Sequence, residues 1–263
     1  MAAVITGTLR SELTKIRSVR STYWTLLVLV LVSVGFGAVY CAGEASRWPQ
    51  LTAQQRAGFD PAQASILGLA LLGQLVIAVL GALTVTSEYS TGMIRTSLTV
   101  MPNRGVLFGA KGAVLAAVAL VIAFLTSFAS FFLGQALVAG THAGATLAQP
   151  GVARAVIATA LFIAVCGLLA FGLGMILRHT AGAITAAYGL FFLLPQLAKA
   201  LPNTWYADVV RWLPGGEAVN AITSTSAAPT PHLFSAWGEL AVLAAYAAIV
   251  LAAGALLFSQ RDA

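Results

Sequence analysis

Charge is scarce in this chain. Of its 263 residues, 8% are Asp, Glu, Lys or Arg, where a soluble domain carries about 25%. The mean hydropathy is +0.91, so a water-soluble fold is excluded and the chain reads as a protein that crosses a membrane several times. Cysteine is nearly missing. Cys41 and Cys166 fall at different expected depths, which argues against a disulfide, and neither has a second Cys or a His at ligand spacing, so no metal is expected. H-E-x-x-H, G-x-S-x-G and any pair of acids with a His on one side of the bilayer are also missing, so no catalytic residue is assigned. Residues 105–111 have the glycine and lysine of a phosphate loop without its G-K-[ST] ending or a preceding strand, so no nucleotide cofactor is expected in this chain. The net charge is +6, but no basic run with interleaved aromatics accompanies it, which argues against nucleic acid as a partner.

What the chain does have is apolar runs, at 23–40, 64–86, 112–138, 152–177, 183–198 and 235–258. These predict an all-α integral membrane fold with six spans in a single transmembrane domain, 1–263. The first run is expected to stay attached, because the charged segment before it is too long for a signal peptide and Tyr40 is too bulky for a lipobox. Pro195 is expected to kink or end the short fifth span. The ends and loops on one side hold nine basic residues, Arg10, Lys15, Arg17, Arg20, Arg95, Arg104, Lys111, Arg178 and Arg261, and the other side holds five. The positive-inside rule then places both termini in the cytoplasm. Span interiors drawn this way contain no ionisable side chain, which argues against a proton-coupled carrier and leaves a sodium-coupled one open. The polar residues they do contain, among them Gln74 and Gln135, default to interhelical hydrogen bonds, and these two are also candidates to line a substrate path. Ala244, Ala248 and Ala252 have the spacing that permits close helix contact. His142 has no partner in its loop and reads as a solvated histidine.

Three segments outside the spans carry pattern. In residues 1–22, Ile5, Leu9, Leu13, Ile16 and Val19 share one helix face above Arg10, Lys15, Arg17 and Arg20, which predicts a helix lying along the inner membrane surface. Glu12 falls near the apolar arc and has two readings, a local pair with Lys15 or a contact with the loop at 88–104. The loop 87–105 lies in water between two spans. Ser87 fits an N-cap with Glu88 in the first turn, and Tyr89, Met93, Ile94, Leu98 and Met101 give an apolar face with Arg95 pointing elsewhere. Gly92 weakens such a helix by about 1 kcal/mol, Pro102 stops it, and 102–105 turn back with Arg104 towards the bilayer. It is either an amphipathic connector resting on headgroups or a docking helix for a cytoplasmic partner. Residues 202–216 alternate apolar, aromatic and charged residues and are too short to span, with Trp205 and Trp212 suited to a headgroup boundary. They predict a re-entrant external hairpin of two short helices broken at Pro214, Gly215 and Gly216.

The surface helix with Glu12 and Lys15, the run Glu88-Tyr89-x-x-Gly92-x-Ile94-Arg95-x-x-Leu98 with Pro102 and Arg104, and Leu213-Pro214-Gly215 before Ala221-Ile222 together resemble ABC-2 type transporter permeases of high-GC Gram-positive bacteria. The resemblance covers essentially the whole chain. It implies a membrane half-transporter of the type V exporter fold. Glu88, Tyr89, Gly92, Arg95, Pro102 and Arg104 would form the coupling helix seated on a separate ATPase subunit, beside a connecting helix carrying Glu12, Lys15 and Arg17. Trp205, Trp212, Pro214 and Gly215 would belong to the external hairpin. Two permease copies, as homodimer or heterodimer, would work with two ATPase subunits that hold ATP and Mg, among membrane lipids. Relatives export antibiotics, peptides, lipids and polysaccharides, and some serve sodium export or copper-centre assembly. The small size and missing external domains suit an exporter of drug-like or antibiotic-like amphiphiles. A lipid or glycolipid flippase and a non-transporting membrane scaffold or immunity protein are the alternatives.

Overall fold

The computed structural model describes residues 2–141, 143–226 and 233–260, so His142 and Arg261 lie outside the described residues. Thirteen α-helices occur among the described residues: α1 (Ala2–Ser18), α2 (Arg20–Arg47), α3 (Ala53–Ala57), α4 (Pro61–Gly68), α5 (Gln74–Ser90), α6 (Met93–Val100), α7 (Arg104–Val138), α8 (Val152–Leu177), α9 (Thr180–Tyr188), α10 (Leu194–Ala198), α11 (Asn203–Val210), α12 (Glu217–Thr223) and α13 (Ala236–Gln260). A π turn, Leu69–Gly73, joins α4 to α5, and a second, Gly189–Leu193, joins α9 to α10. Among the described residues, six continuous helical segments are long and apolar enough to cross a membrane: Arg20–Gln50, Pro61–Ser90, Arg104–Thr141, Val152–Leu177, Thr180–Ala198 and Ala236–Gln260. Most extend past the apolar runs, because polar residues at either end continue a helix until a breaker or a cap intervenes. Asp60 caps α4 by accepting from the Gln63 amide at 3.0 Å, with Pro61 at the first helical position, and Asn103 caps α7 through the Val106 amide at 3.1 Å.

The bundle is built around α8, which packs against α5, α7 and α13. Its most apolar stretch is 72% buried, against 22% for that of α13. Small residues allow the approach: a Cβ on Gly81 of α5 would stand 2.1 Å from the Gly167 carbonyl oxygen of α8, so only glycine fits there. Phe162, Leu169 and Phe171 fill the space between helices together with Ile77 and Leu115. On α13 the buried seam is Leu243, Ala247, Gly254 and Phe258. Ala244, Ala248 and Ala252, expected from their spacing to make the close contact, are exposed instead. Small residues permit close approach on a face, but the larger buried surface of the Leu243 to Phe258 seam decides which face packs.

Pro195 does not end its helix. The π turn ahead of it, closed by the Leu194 amide on the Gly189 carbonyl, widens the backbone where a proline ring would otherwise strike the carbonyl four residues back. That carbonyl, of Phe191, lies against Gly215, where a Cβ would approach it to 2.1 Å and φ is +120°. Both facts restrict position 215 to glycine. The segment from α11 to α12 therefore folds back over α10, with Pro214 and Gly215 buried and Trp205 and Trp212 exposed. Tyr206 on α11 donates to Glu217 on α12, which ties the two arms. Burial and the Glu217 carboxylate push the Tyr206 phenol up to about 12.

Exposed aromatics collect at both ends of the bundle, Tyr23 and Trp24 beside α1, and Trp205, Trp212 and Trp237 at the other end. Tyr and Trp favour the headgroup level. Helix α1 turns from α2 at Val19, whose backbone is extended. It buries Thr8 and Glu12 against the bundle and exposes Ile5, Leu13 and Val19. This is the reverse of a soluble amphipathic helix and suits one whose outer side meets lipid.

Candidate functional site

The one place where charged side chains from separate helices meet inside the described bundle is beside α1. Glu12 and Lys15 stand one turn apart on α1, Glu88 lies in the last turn of α5, and Lys111 lies two turns into α7. Lys111 Nζ donates to Glu12 Oε2 at 2.7 Å and to Glu88 Oε1 at 2.7 Å. Lys15 Nζ donates to Glu12 Oε1 at 2.7 Å, to Glu88 Oε1 at 3.1 Å, and to Ser97 Oγ of α6 at 3.0 Å. Glu12, Glu88 and Lys111 are only 3%, 6% and 3% exposed. Desolvation would raise the Glu12 carboxyl, but the charge and hydrogen bond of Lys111, with those of Lys15, outweigh it and hold the group below its ordinary value. For Lys15 desolvation is again the largest influence and lowers it, and Glu12 and then Glu88 more than reverse this, so the ammonium is held above its ordinary range.

Both readings of Glu12 therefore hold at once: it pairs with Lys15 and, through Lys111 and Lys15, it joins the segment beginning at Glu88. Lys111 enters sequence reasoning only as a topological charge and as the lysine of a dismissed phosphate-loop match. The signal that could have found it is three lone ionisable groups, Glu12, Glu88 and Lys111, that a six-span layout brings to one end at the membrane boundary, where none is stable alone.

The loop differs from its sequence pattern at its start. Helix α5 runs on to Ser90, so Ser87 is not an N-cap, and its hydroxyl donates back to the Leu83 carbonyl. Glu88 sits in a last turn, not a first one. The break comes at Gly92, in the left-handed region at φ +72°, with nothing within 4 Å of where a Cβ would be. Glycine is required there by backbone conformation and not by crowding. Helix α6 then buries Ile94 and tucks Leu98 against the core, with Met101 just after it. It exposes Met93, Arg95 and Thr96, and Pro102 follows on the same open surface.

The other residues of the loop point inward and reach further helices. Tyr89 lies under the Arg178 guanidinium, 4.9 Å from its ring centre, where Arg178 closes α8. Arg104 Nη1 donates at 3.0 Å to the Phe258 carbonyl near the end of α13, a cation placed at a helix C-terminus. The Thr180 hydroxyl, at the start of α9, donates to Thr86 on α5 at 2.8 Å. Arg17 is exposed on α1. Thus α6 is fastened through its two flanks to α1, α7, α8 and α13, while one side of it stays open.

The two glutamines lie away from this cluster. Gln74 is buried at the end of the first π turn and donates to the Leu71 carbonyl at 3.3 Å. Gln135 donates to the Pro61 carbonyl and to Ser65 Oγ, and accepts from the Ala145 amide at 2.6 Å, which pins the loop after α7 to the start of α4. Cys41 and Cys166 are free and buried.

In comparison with known families, the model of the ABC-2 family transporter protein matches residues 11–263, nearly the whole chain and every residue of this site. No curated protein matches the sequence.

Proposed function

We propose, since the chain belongs to the ABC-2 family of transporter proteins, that it is the membrane permease of an ATP-driven exporter in which α6 is the coupling helix. As an ABC-2 permease it is a multi-pass membrane protein that works with an ATPase subunit. The α1 end then faces the cytoplasm, as the basic excess requires, and the α11 to α12 segment forms a re-entrant hairpin at the outer face. ATP and Mg are held by the partner subunit, two copies of which act on a pair of permeases. The chain itself catalyses nothing, and its cargo is an amphipathic, drug-like or antibiotic-like molecule.

The observation that carries this reading is the setting of α6, a short amphipathic helix with one open side that is fastened at both flanks to four other helices. A connector resting on headgroups has no need of that fastening. A lever pushed by a closing ATPase dimer does, because only a rigidly attached helix passes displacement to the spans. A buried ion cluster suits the task, since its members hold one geometry or another and do not deform gradually. The test is co-purification of the permease with an ATPase subunit from the same operon, comparing wild type with Arg95→Glu. Loss of the complex by a permease that still purifies as a folded, monodisperse protein is the expected result. A wild-type chain that recruits no ATPase overturns the reading in favour of a membrane scaffold.

A further inference from the structure

We infer that the outward side of α1, continued by the first turns of α2, is a binding face for anionic phospholipid. Arg10, Arg17 and Arg20 take the phosphates of lipids that carry no ammonium of their own. The inference goes beyond the coupling role of α6 and rests only on the membrane setting of the family.

Helix periodicity gives α1 two unlike sides. Thr8 and Glu12 are buried on the side that meets α7. On the opposite side Arg10, Leu13 and Arg17, spaced three and four apart, share one stripe and are all exposed. About 10 Å of helix separates the two arginines. The chain turns at Val19, and α2 carries the surface on as a second stripe of exposed residues: Arg20, then Tyr23 and Trp24, then Leu27, Val28 and Leu31. Tyr23 and Trp24 are 58% and 65% exposed. Basic, aromatic and aliphatic residues in that order match the phosphates, the headgroup boundary and the acyl chains, which sets Arg20 at phosphate depth.

No acid answers these charges. None of Arg10, Arg17 and Arg20 makes an ion pair among the described residues. The described acids at this end, Glu12 and Glu88, are buried and face Lys15 and Lys111. A choline or ethanolamine head brings its own cation, for which this surface offers no carboxylate, so repulsion of the ammonium offsets attraction of the phosphate. A lipid of net negative charge escapes that offset, and guanidinium donors suit its phosphate oxygens. The exposed Leu13, Trp24 and Leu27 select lipid over other polyanions, because a nucleic acid or an acidic peptide would cover the arginines and leave these apolar side chains in water. Bound lipid and the buried ion cluster then hold α1 from its two sides.

The test uses the full chain in phosphatidylcholine nanodiscs with a fluorophore on Leu13→Cys, both native cysteines being buried. Quenching is compared between phosphatidylglycerol and phosphatidylcholine that are spin-labelled at the start of an acyl chain. An arginine near an anionic surface is worth about fivefold in binding. Two arginines flank Leu13, so half-quenching is expected at about a twentyfold lower mole fraction of the glycerol lipid. Arg17→Gln should leave about a fivefold preference, and Arg10→Gln, Arg17→Gln and Arg20→Gln together should leave none. Salt at about 1 M, which cuts the screening length to about 3 Å, should remove the preference from the chain with its arginines intact, whatever the variants do to folding. Equal quenching by the two lipids, or a preference unmoved by both salt and the triple change, overturns the inference. So does efficient disulfide dimerisation of Leu13→Cys in the membrane, which would make the face an interface with a second copy, or loss of quenching by both lipids when ATPase subunit is added. A lipid preference in a chain that recruits no ATPase leaves the face standing and removes the exporter reading. ATPase recruitment without a lipid preference does the opposite.

Discussion

At the α1 end, side chains of four separate helices meet in a buried cluster of two carboxylates and two ammonium groups. At the opposite end the Asp60 carboxylate gathers backbone. It accepts the Gln63 amide at the start of α4 and both the amide and hydroxyl of Thr225, while Gln63 reaches Thr223 and Arg154 donates to the Ser224 carbonyl. The second arrangement fixes a loop to a helix start and tolerates the loss of one bond. The first cannot lose a charged member without leaving the cluster with an uncompensated net charge, so it makes the relative placement of α1, α5, α6 and α7 a cooperative property. In the proposed exporter this asymmetry would put a stiff, switch-like joint where force arrives and a local fastening where it does not.

The comparison breaks most directly at its centre. Lys111→Met leaves the Glu12 and Glu88 carboxylates with Lys15 as their one remaining shared cation and so with an uncompensated buried negative charge, and is expected to cost about 3–5 kcal/mol, read as a large fall in Tm of the purified permease. Adding Glu12→Gln and Glu88→Gln to it should recover much of that loss, because the penalty belongs to unpaired charge and not to lost packing. At the other end, Asp60→Ala removes a helix cap and the Thr225 contact, for about 2 kcal/mol, with faster proteolysis of the loop after α12 as the accompanying sign. Gly92→Ala should cost about 1 kcal/mol through its positive φ and lower ATPase stimulation more than Tm, since it strains the hinge into α6.

Acidity sharpens the same contrast by a smaller amount. Glu12 titrates below its ordinary value of 4.5 when folded, so the stability it contributes is complete above that value and is lost as pH falls through the lowered one. Lys15 titrates above its ordinary 10.5, so its contribution is complete below that value and is lost only as pH rises beyond it. Hydrogen exchange of α1 at pH 7 and then below 4.5 should therefore show the α1 end loosening on acidification.

Much of this was legible in the sequence: the six apolar helices, the separate α1, the amphipathic α6 and the two short helices around Pro214. Periodicity and turn residues are local, and these features are local too. The start of the 87–105 loop differs from its pattern because Ser87 followed by Glu88 suits an N-cap as well as a continuing helix, and the left-handed Gly92 sets the break. The roles of Lys111 and Arg104 were hidden for another reason. Which helices touch is decided by packing of the whole bundle, so a lysine two turns into a span reads as a flank charge until its two glutamates are seen beside it. The exposed alanines of α13 make the same point, since spacing names a face that can pack without saying that it does.

The central claim is that α6 receives the motion of an ATPase and passes it inward. Its most direct measurement is site-specific cross-linking from Arg95→Cys on the open side of α6, in membranes that also contain the ATPase subunit; both native cysteines are buried and stay silent. The account predicts an adduct with the ATPase whose yield changes between nucleotide-free and ATP-trapped states. An adduct with lipid-dissolved reagent alone, or one with the ATPase that ignores nucleotide, would contradict it.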